Sequence, residues 1–349
     1  MRQLAVVLAA VVLLGFAGCA GVVEDSPGDQ PGTGDAVTDA SPPATAVEGQ
    51  LTLYHIDVGQ ADATLLVTPT GETVLIDTGD WRQDGDVVID YLERLGIERI
   101  DHLVATHPHA DHIGGHAAVI EHFETERDGI GAAYDSGVAH DTATYERYLD
   151  AIEEHDVDLL LVEEGDRLPL ADDNVSALVL NPPADDAGED FHRNSVALAV
   201  AFGEFQYLTT GDAERGTEER LLEDWPAALD ADVYQAGHHG SSSSSTAAFV
   251  DAVDPQLAII SSNRDSQYGH PHDEVLATFA NRDIETYWTG VHGNVVVTTD
   301  GDDIDVTTAE AFPTDPDEMF DAKGAPSSLL PVAHPIQPGT HVARAPTTD

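Results

Sequence analysis

The chain has 349 residues, with 65 Asp and Glu against 14 Lys and Arg, a formal charge of −51 at pH 7. A single cysteine excludes an intrachain disulfide, and the acids run through every segment instead of gathering in one tail. Such a surface repels itself in dilute solution and offers no basic footprint to a polyanion. It is the composition expected where molar salt shortens the Debye length to about 3 Å.

The first segment, residues 1–19, carries Arg2, an apolar run from Leu4 to Phe16, and then Ala17-Gly18-Cys19. The run is too short for a spanning helix, which needs about 20 residues, but fits the core of a signal peptide. Cys19 after small residues reads as a lipoprotein cleavage box, with Cys19 lipidated and the protein held on the outer face of the cell membrane. The alternative is an ordinary secretory signal with an incidental cysteine. Residues 20–48 are rich in Gly, Pro, Asp, Ser and Thr and read as a flexible linker. Residues 49–310 form the candidate domain. The tail, 311–349, is Pro-rich and aperiodic, and is expected to be loosely ordered or laid over the surface.

Within the domain, Leu51–Val58, Thr64–Thr68 and Thr73–Asp77 are β-rich runs broken by Gly and Pro. Val88, Tyr91, Leu92 and Leu95 lie on one face of a helix that stops at Gly96. His102–Thr106 is a strand, and Thr142–His155 is a helix with Tyr145, Tyr148, Leu149 and Ile152 on one side. Val196–Phe202 and Phe205–Thr209 make a hairpin. Ala231–Ala236, Leu257–Ser261, Ile284–Trp288 and Asn294–Thr299 complete the strands, with a Ser/Thr-rich loop and a short helix after Ala236. The pattern predicts an α+β fold: two mixed sheets packed face to face with helices outside.

The densest chemistry lies at the end of the His102–Thr106 strand. His107, His109, Asp111 and His112 fall within six residues, directly before Gly114-Gly115. Spacing of this kind points His107 and His109 to one side of a turn and turns Asp111 and His112 to a second point, as a loop holding two metal ions requires. Asp77 ends another strand with a carboxylate placed to hold that loop. Asp212 ends a third and is free to bridge two metals. His238 and His239 end a fourth, and the spacing leaves open which of them ligates. His270 and His272 flank a proline in a loop, either as substrate contacts or as part of a rigid turn.

Several stretches together resemble the metallo-β-lactamase superfamily, and within it the hydrolase domain of ComEC-type DNA-uptake (competence) channels. They are Asp57-Val58-Gly59-Gln60-Ala61-Asp62-Ala63, the Thr106–Gly115 run, Asn194-Ser195, Thr210-Gly211-Asp212-Ala213-Glu214, Gly237-His238-His239-Gly240-Ser241 and Tyr268-Gly269-His270-Pro271-His272. The likeness covers about residues 49 to 308 and implies an αββα sandwich with a one- or two-metal site, Zn²⁺ with Mn²⁺ as the alternative. It implies a metal-dependent hydrolase of the phosphodiesterase or nuclease type, acting on single-stranded DNA or another phosphodiester through water whose pKa the metal lowers towards about 7. The other readings are a hydrolase of a lactone or other ester, and a non-catalytic metal-binding lipoprotein. No protein partner is expected.

In the resemblance, Asn194 stands where many superfamily members have a further histidine. That leaves the His107–His109 site open, or filled by His192. The expected ligands are His107, His109, Asp111, His112, Asp212 and His238 or His239. Asp111 orients water as well as ligating. Asn194, Ser241 and His270 are the expected donors to an oxyanion, whereas Asp57, Gln60 and Asp62 read as groups that pin loops.

Overall fold

The computed structural model describes residues 47–185, 188–323 and the strand at 340–342. The signal segment, Cys19 and the linker up to residue 46 lie outside the described residues.

The strands are β1 Leu51–His55, β2 Thr64–Val67, β3 Thr73–Ile76, β4 Ile100–Val104, β5 Ile130–Asp135, β6 Leu159–Leu161, β7 Val175–Asn181 and β8 Ala197–Phe202. They continue as β9 Phe205–Thr209, β10 Val233–Gln235, β11 Leu257–Ile260, β12 Glu285–Trp288, β13 Val295–Thr299, β14 Ile304–Thr308 and β15 Thr340–Val342. Between them run α1 Asp86–Leu95, α2 His116–Glu126, α3 Ala143–Glu154, α4 Arg215–Asp224, α5 Ala247–Val253, α6 Asp273–Ala280, α7 Thr289–His292 and α8 Pro316–Ala322. Nine strands form one sheet in the order β15-β14-β13-β1-β2-β3-β4-β5-β6, and six form the other in the order β12-β11-β10-β9-β8-β7.

Both sheets are mixed, with β3 to β6 parallel in one and β9 to β12 parallel in the other. Alternation along the strands sends one set of side chains into a shared core, where Leu53, Leu66 and Val104 meet Val179, Val200 and Phe202. The outer face of the first sheet buries Leu65, Leu75 and Leu103 under Val88, Leu92, Val119, Ile120, Phe123 and Tyr148 of α1–α3. The second sheet is covered likewise by Leu221, Phe249, Leu276 and Phe279 of α4–α6. The fold is therefore the expected αββα sandwich. Each fully buried Leu or Phe contributes about 1.5–3 kcal/mol to holding the layers together.

Local signals set the ends of the elements. Gly96 closes α1 in the left-handed region (φ 73°), its N–H reaching the carbonyls of Glu93 and Leu92. The Thr142 side chain caps α3 by accepting from the Tyr145 N–H. Part of the Pro-rich tail is regular: α8 begins at a capping Asp315, and Met319 on it is fully buried.

The charge is left largely uncompensated. The described Arg residues pair with carboxylates mostly at the surface, as in Arg99–Asp101 (2.9 Å) and Arg282–Asp251 (2.7 Å), and such pairs contribute about 0–1 kcal/mol each. Added salt weakens the self-repulsion of a surface carrying −51. The unfolding midpoint, followed by circular dichroism across a KCl series, is expected to rise steeply from tenths of molar to several molar. A flat response would show that the acids are compensated within the fold.

Candidate metal centre

The site forms at the carboxyl ends of β3, β4, β9, β10 and β11, where the parallel halves of the two sheets face each other. Asp77 follows β3 in the left-handed region (φ 57°). Its carboxylate receives the Thr106 N–H (2.9 Å), the Thr106 hydroxyl (2.6 Å) and His112 Nδ1 (2.7 Å). One buried carboxylate thus fixes the end of β4 and sets the His112 ring with Nε2 turned into the centre. Gly114 and Gly115 are required by close approach. A Cβ on Gly114 would lie 2.1 Å from the backbone nitrogen of Trp81, and one on Gly115 would lie 2.6 Å from the Thr78 carbonyl. Asp212 depends on Gly211 in the same way: at φ 51°, its Cβ would sit 2.3 Å from Ser195 Oγ. That hydroxyl accepts the Asp212 N–H at 3.0 Å.

Asp212 is 1% exposed and divides its two oxygens. Oδ2 lies 3.5 Å from His107 Nε2 and 3.5 Å from His238 Nε2. Oδ1 lies 3.1 Å from His112 Nε2 and 3.8 Å from His239 Nε2. His107, His109, His192 and Asp212 have ligand atoms all within 4.8 Å of one another, and so do His112, His239, Asp212 and Asp62. Two adjacent donor groups therefore share one carboxylate. Asp111 joins the second, its Oδ2 3.4 Å from His239 Nε2. Asp62 lies 3.4 Å from Nδ1 of the same ring, whose hydrogen bond goes to the Ser261 carbonyl at 3.1 Å.

The donor set fits a divalent transition metal. Imidazole nitrogens converge, His107 Nε2 on His109 Nδ1 at 3.0 Å and His112 Nε2 on His239 Nε2 at 3.2 Å. Tetrahedral ligands about 2.0–2.1 Å from zinc would stand about 3.3 Å apart. Burial holds His107 well below the usual imidazole range and His109 at about 4, so both present lone pairs at neutral pH. Burial also opposes charge on His112 and His239, but Asp212 outweighs it, with Asp77 helping His112 and Asp62 helping His239. His112 is held well above its ordinary value and His239 is raised to about 9. Asp212 is correspondingly held well below the carboxylate range: burial works against its charge, and His112 and His239 overcome it. The protein places cationic imidazoles where a metal would put its charge.

A sequence model of the metallo-β-lactamase superfamily matches residues 56–262. The chain belongs to this superfamily. It is 31% identical over 269 residues to ComE operon protein 3 of Bacillus subtilis (strain 168), covering 72% of this chain and 33% of that protein. It is 28% identical over 238 residues to competence protein ComA of Neisseria gonorrhoeae, covering 67% of this chain and 30% of that protein. It thus spans about a third of the length of these relatives. The crystal structure of the metallo-β-lactamase fold protein YhfI from Bacillus subtilis superposes with a TM-score of 0.49 at 11% identity, over 72% of this chain and 100% of that one.

Of the residues expected in this superfamily site, the structure brings together His107, His109, Asp111, His112, Asp212, His238 and His239, with Asp77 supporting them. Both His238 and His239 reach Asp212, one at each oxygen. Asn194 is fully buried, and its Nδ2 donates to the carbonyls of Asp190 (2.7 Å) and Gly188 (3.5 Å) on its own loop. His192 stands with His107 and His109, its ring 5.0 Å from that of His109.

Ser241 is also one step removed. Its hydroxyl contacts Ser243 Oγ at 3.0 Å, and it is Ser243 that reaches His238 Nδ1 at 3.2 Å. Farther along the run, Ser244 and Ser245 are 2% exposed, and the cap of α5 is Thr246. His270 is buried beside the centre, its ring 6.3 Å from His239 and 5.9 Å from His238. Gln60 Nε2 lies 3.2 Å from its Nδ1. Asp62 and Glu214, the latter 3.5 Å from His238 Nδ1, join the site from two of the stretches that carry the resemblance.

Elemental analysis of the purified chain is expected to find up to two metal equivalents. His109→Ala should lose one and Asp212→Ala at least one; full content in both variants would refute the assignment. Metal must displace the protons held on His112 and His239, so affinity should rise with pH up to about 9. Zinc titrations at pH 7 in buffers of different ionisation enthalpy should register proton release, and none would mean that these rings are neutral beforehand.

Proposed function

We propose that this superfamily member is an exported, metal-dependent phosphodiesterase of the nuclease type, held to the outer face of the membrane through Cys19. The observation that carries the reading is Asp212, whose two oxygens serve two adjacent donor groups, as suits a pair of cations astride one phosphodiester. Likeness to competence proteins supports a nucleic-acid substrate. No helix among the described residues is long and apolar enough to cross a membrane.

Zn²⁺ or Mn²⁺, when bound, supplies water with a pKa near 7 and a clamp on phosphoryl oxygens. The chain's own groups do the rest. Asp111 is the more exposed ligand acid, with a side-chain exposure of 32% against 2% for Asp212. Burial works against its charge, but the hydrogen bond with His239 and the nearby His112 keep it ionised. It can therefore accept a hydrogen bond from the attacking water. Burial lowers His270 to about 4, so its ring is neutral at pH 7. Donation from Gln60 into Nδ1 leaves the ring proton on Nε2, available to an oxyanion.

A panel in molar KCl with Zn²⁺ or Mn²⁺ tests this: single-stranded DNA, bis-p-nitrophenyl phosphate and a lactone. Cleavage of the first two, reduced at least 100-fold by Asp212→Ala, is the expected result. Turnover of the lactone alone would make the chain an ester hydrolase, and no turnover with metal bound would leave a binding lipoprotein.

A further inference from the structure

We infer that Trp81 and Tyr268 form a subsite that stacks an unpaired nucleobase beside the metal centre, an inference that builds on the nuclease reading. Among the described residues, five large hydrophobic side chains are exposed, and only two of them are aromatic: Trp81 at 46% and Tyr268 at 59%. They are far apart in sequence, yet both line one cavity of about 190 Å³. The ligand carboxylate Asp111 lines it too, so the cavity opens directly onto the reacting centre.

The remaining lining suits a flat, polar-edged ring. Gln267 offers an amide that can donate to or accept from base edges. The Arg82 guanidinium lies 4.9 Å from the Trp81 ring centroid while bonding Asp80 at 2.8 Å. It backs one side of the indole and leaves the other side for a ligand. The Trp81 backbone N–H donates to the Ala110 carbonyl (2.9 Å), which ties the main chain at this residue to the metal-ligand loop. Tyr268 adjoins His270, ring to ring at 5.7 Å. A phosphodiester placed at Asp111 would thus carry an adjacent base towards these rings.

The charge balance gives stacking a reason. With a net charge of −51, the chain cannot hold a nucleic acid by counterion release, least of all in molar salt. Stacking on aromatic rings survives salt and tolerates any base sequence, because every base has a π-face.

The test measures binding apart from cleavage. A fluorescent, phosphorothioate-linked oligothymidylate and the same strand with abasic residues are titrated into the full, zinc-loaded chain in molar KCl and followed by anisotropy. The wild type should bind the base-bearing strand roughly tenfold or more tightly than the abasic one. Trp81→Ala with Tyr268→Ala should abolish that discrimination, and Trp81→Phe should retain most of it. Equal binding of both strands by the wild type, binding of neither, or discrimination that survives the double substitution would each overturn the subsite. The nuclease reading stands or falls separately, on cleavage of the ordinary phosphodiester: base discrimination without cleavage keeps the subsite and removes the activity.

Discussion

A carboxylate with 1% exposure, surrounded by imidazoles, is the constraint around which this molecule is arranged. Asp212 could not stay charged in the interior of so acidic a protein without the cations that face it. His112 and His239 supply that charge, and each is itself kept cationic only by Asp212 with further carboxylates behind it, Asp77 for His112 and Asp62 for His239. The network is therefore mutually dependent. Removing one member leaves another buried charge without a partner, which costs several kcal/mol. A divalent metal pair would take over the same electrostatic task, so the apo and loaded states need the same scaffold.

That scaffold stores strain where the chemistry is. His238 and His239 both take left-handed backbone conformations (φ 53° and 56°), as does Asp77. None is glycine, so each costs of order 1–3 kcal/mol relative to an ordinary turn. The surroundings compensate by bonding every turn: Ser241 N–H closes on the His238 carbonyl, and His239 Nδ1 reaches the Ser261 carbonyl at 3.1 Å. The strain turns two consecutive rings onto opposite oxygens of one carboxylate, which a relaxed helix or strand could not do.

What the sequence made legible follows from how local each signal is. His107, His109, Asp111 and His112 are set by spacing within one loop, and strand-end placement sufficed for Asp77 and Asp212. The sandwich followed from the β-rich runs of β1 to β4, broken by Gly and Pro, and from the β8–β9 hairpin. The helix α2 was missed because Val119, Ile120 and Phe123 give little more than one turn of apolar face among acids and histidines. Ser243 was missed as a site residue for another reason, and Asp62 was read only as a group that pins a loop. Asp62 meets His239 across the two sheets, a relation with no local pattern, and short polar residues in loops carry no periodicity. Asn194 and His192 lie two residues apart on one loop, where spacing alone does not say which side chain joins His107 and His109; the His192 ring does so.

The acidity that makes the surface poor at attracting a polyanion also shapes the centre. Asp62, Asp77, Asp111 and Asp212 gather within reach of two cationic rings, so the apo site carries an excess of negative charge before any substrate arrives. A phosphodiester entering it would meet repulsion, and divalent cations reverse the sign of that field. On the nuclease reading, metal loading is then a precondition of substrate binding as well as of chemistry. The protein gains a dependence that a basic groove would not impose: strands can be held only where the metal already is. Recognition beyond the gripped phosphate falls to uncharged contacts, and of the side chains near Asp111, the exposed rings of Trp81 and Tyr268 offer the largest such surface.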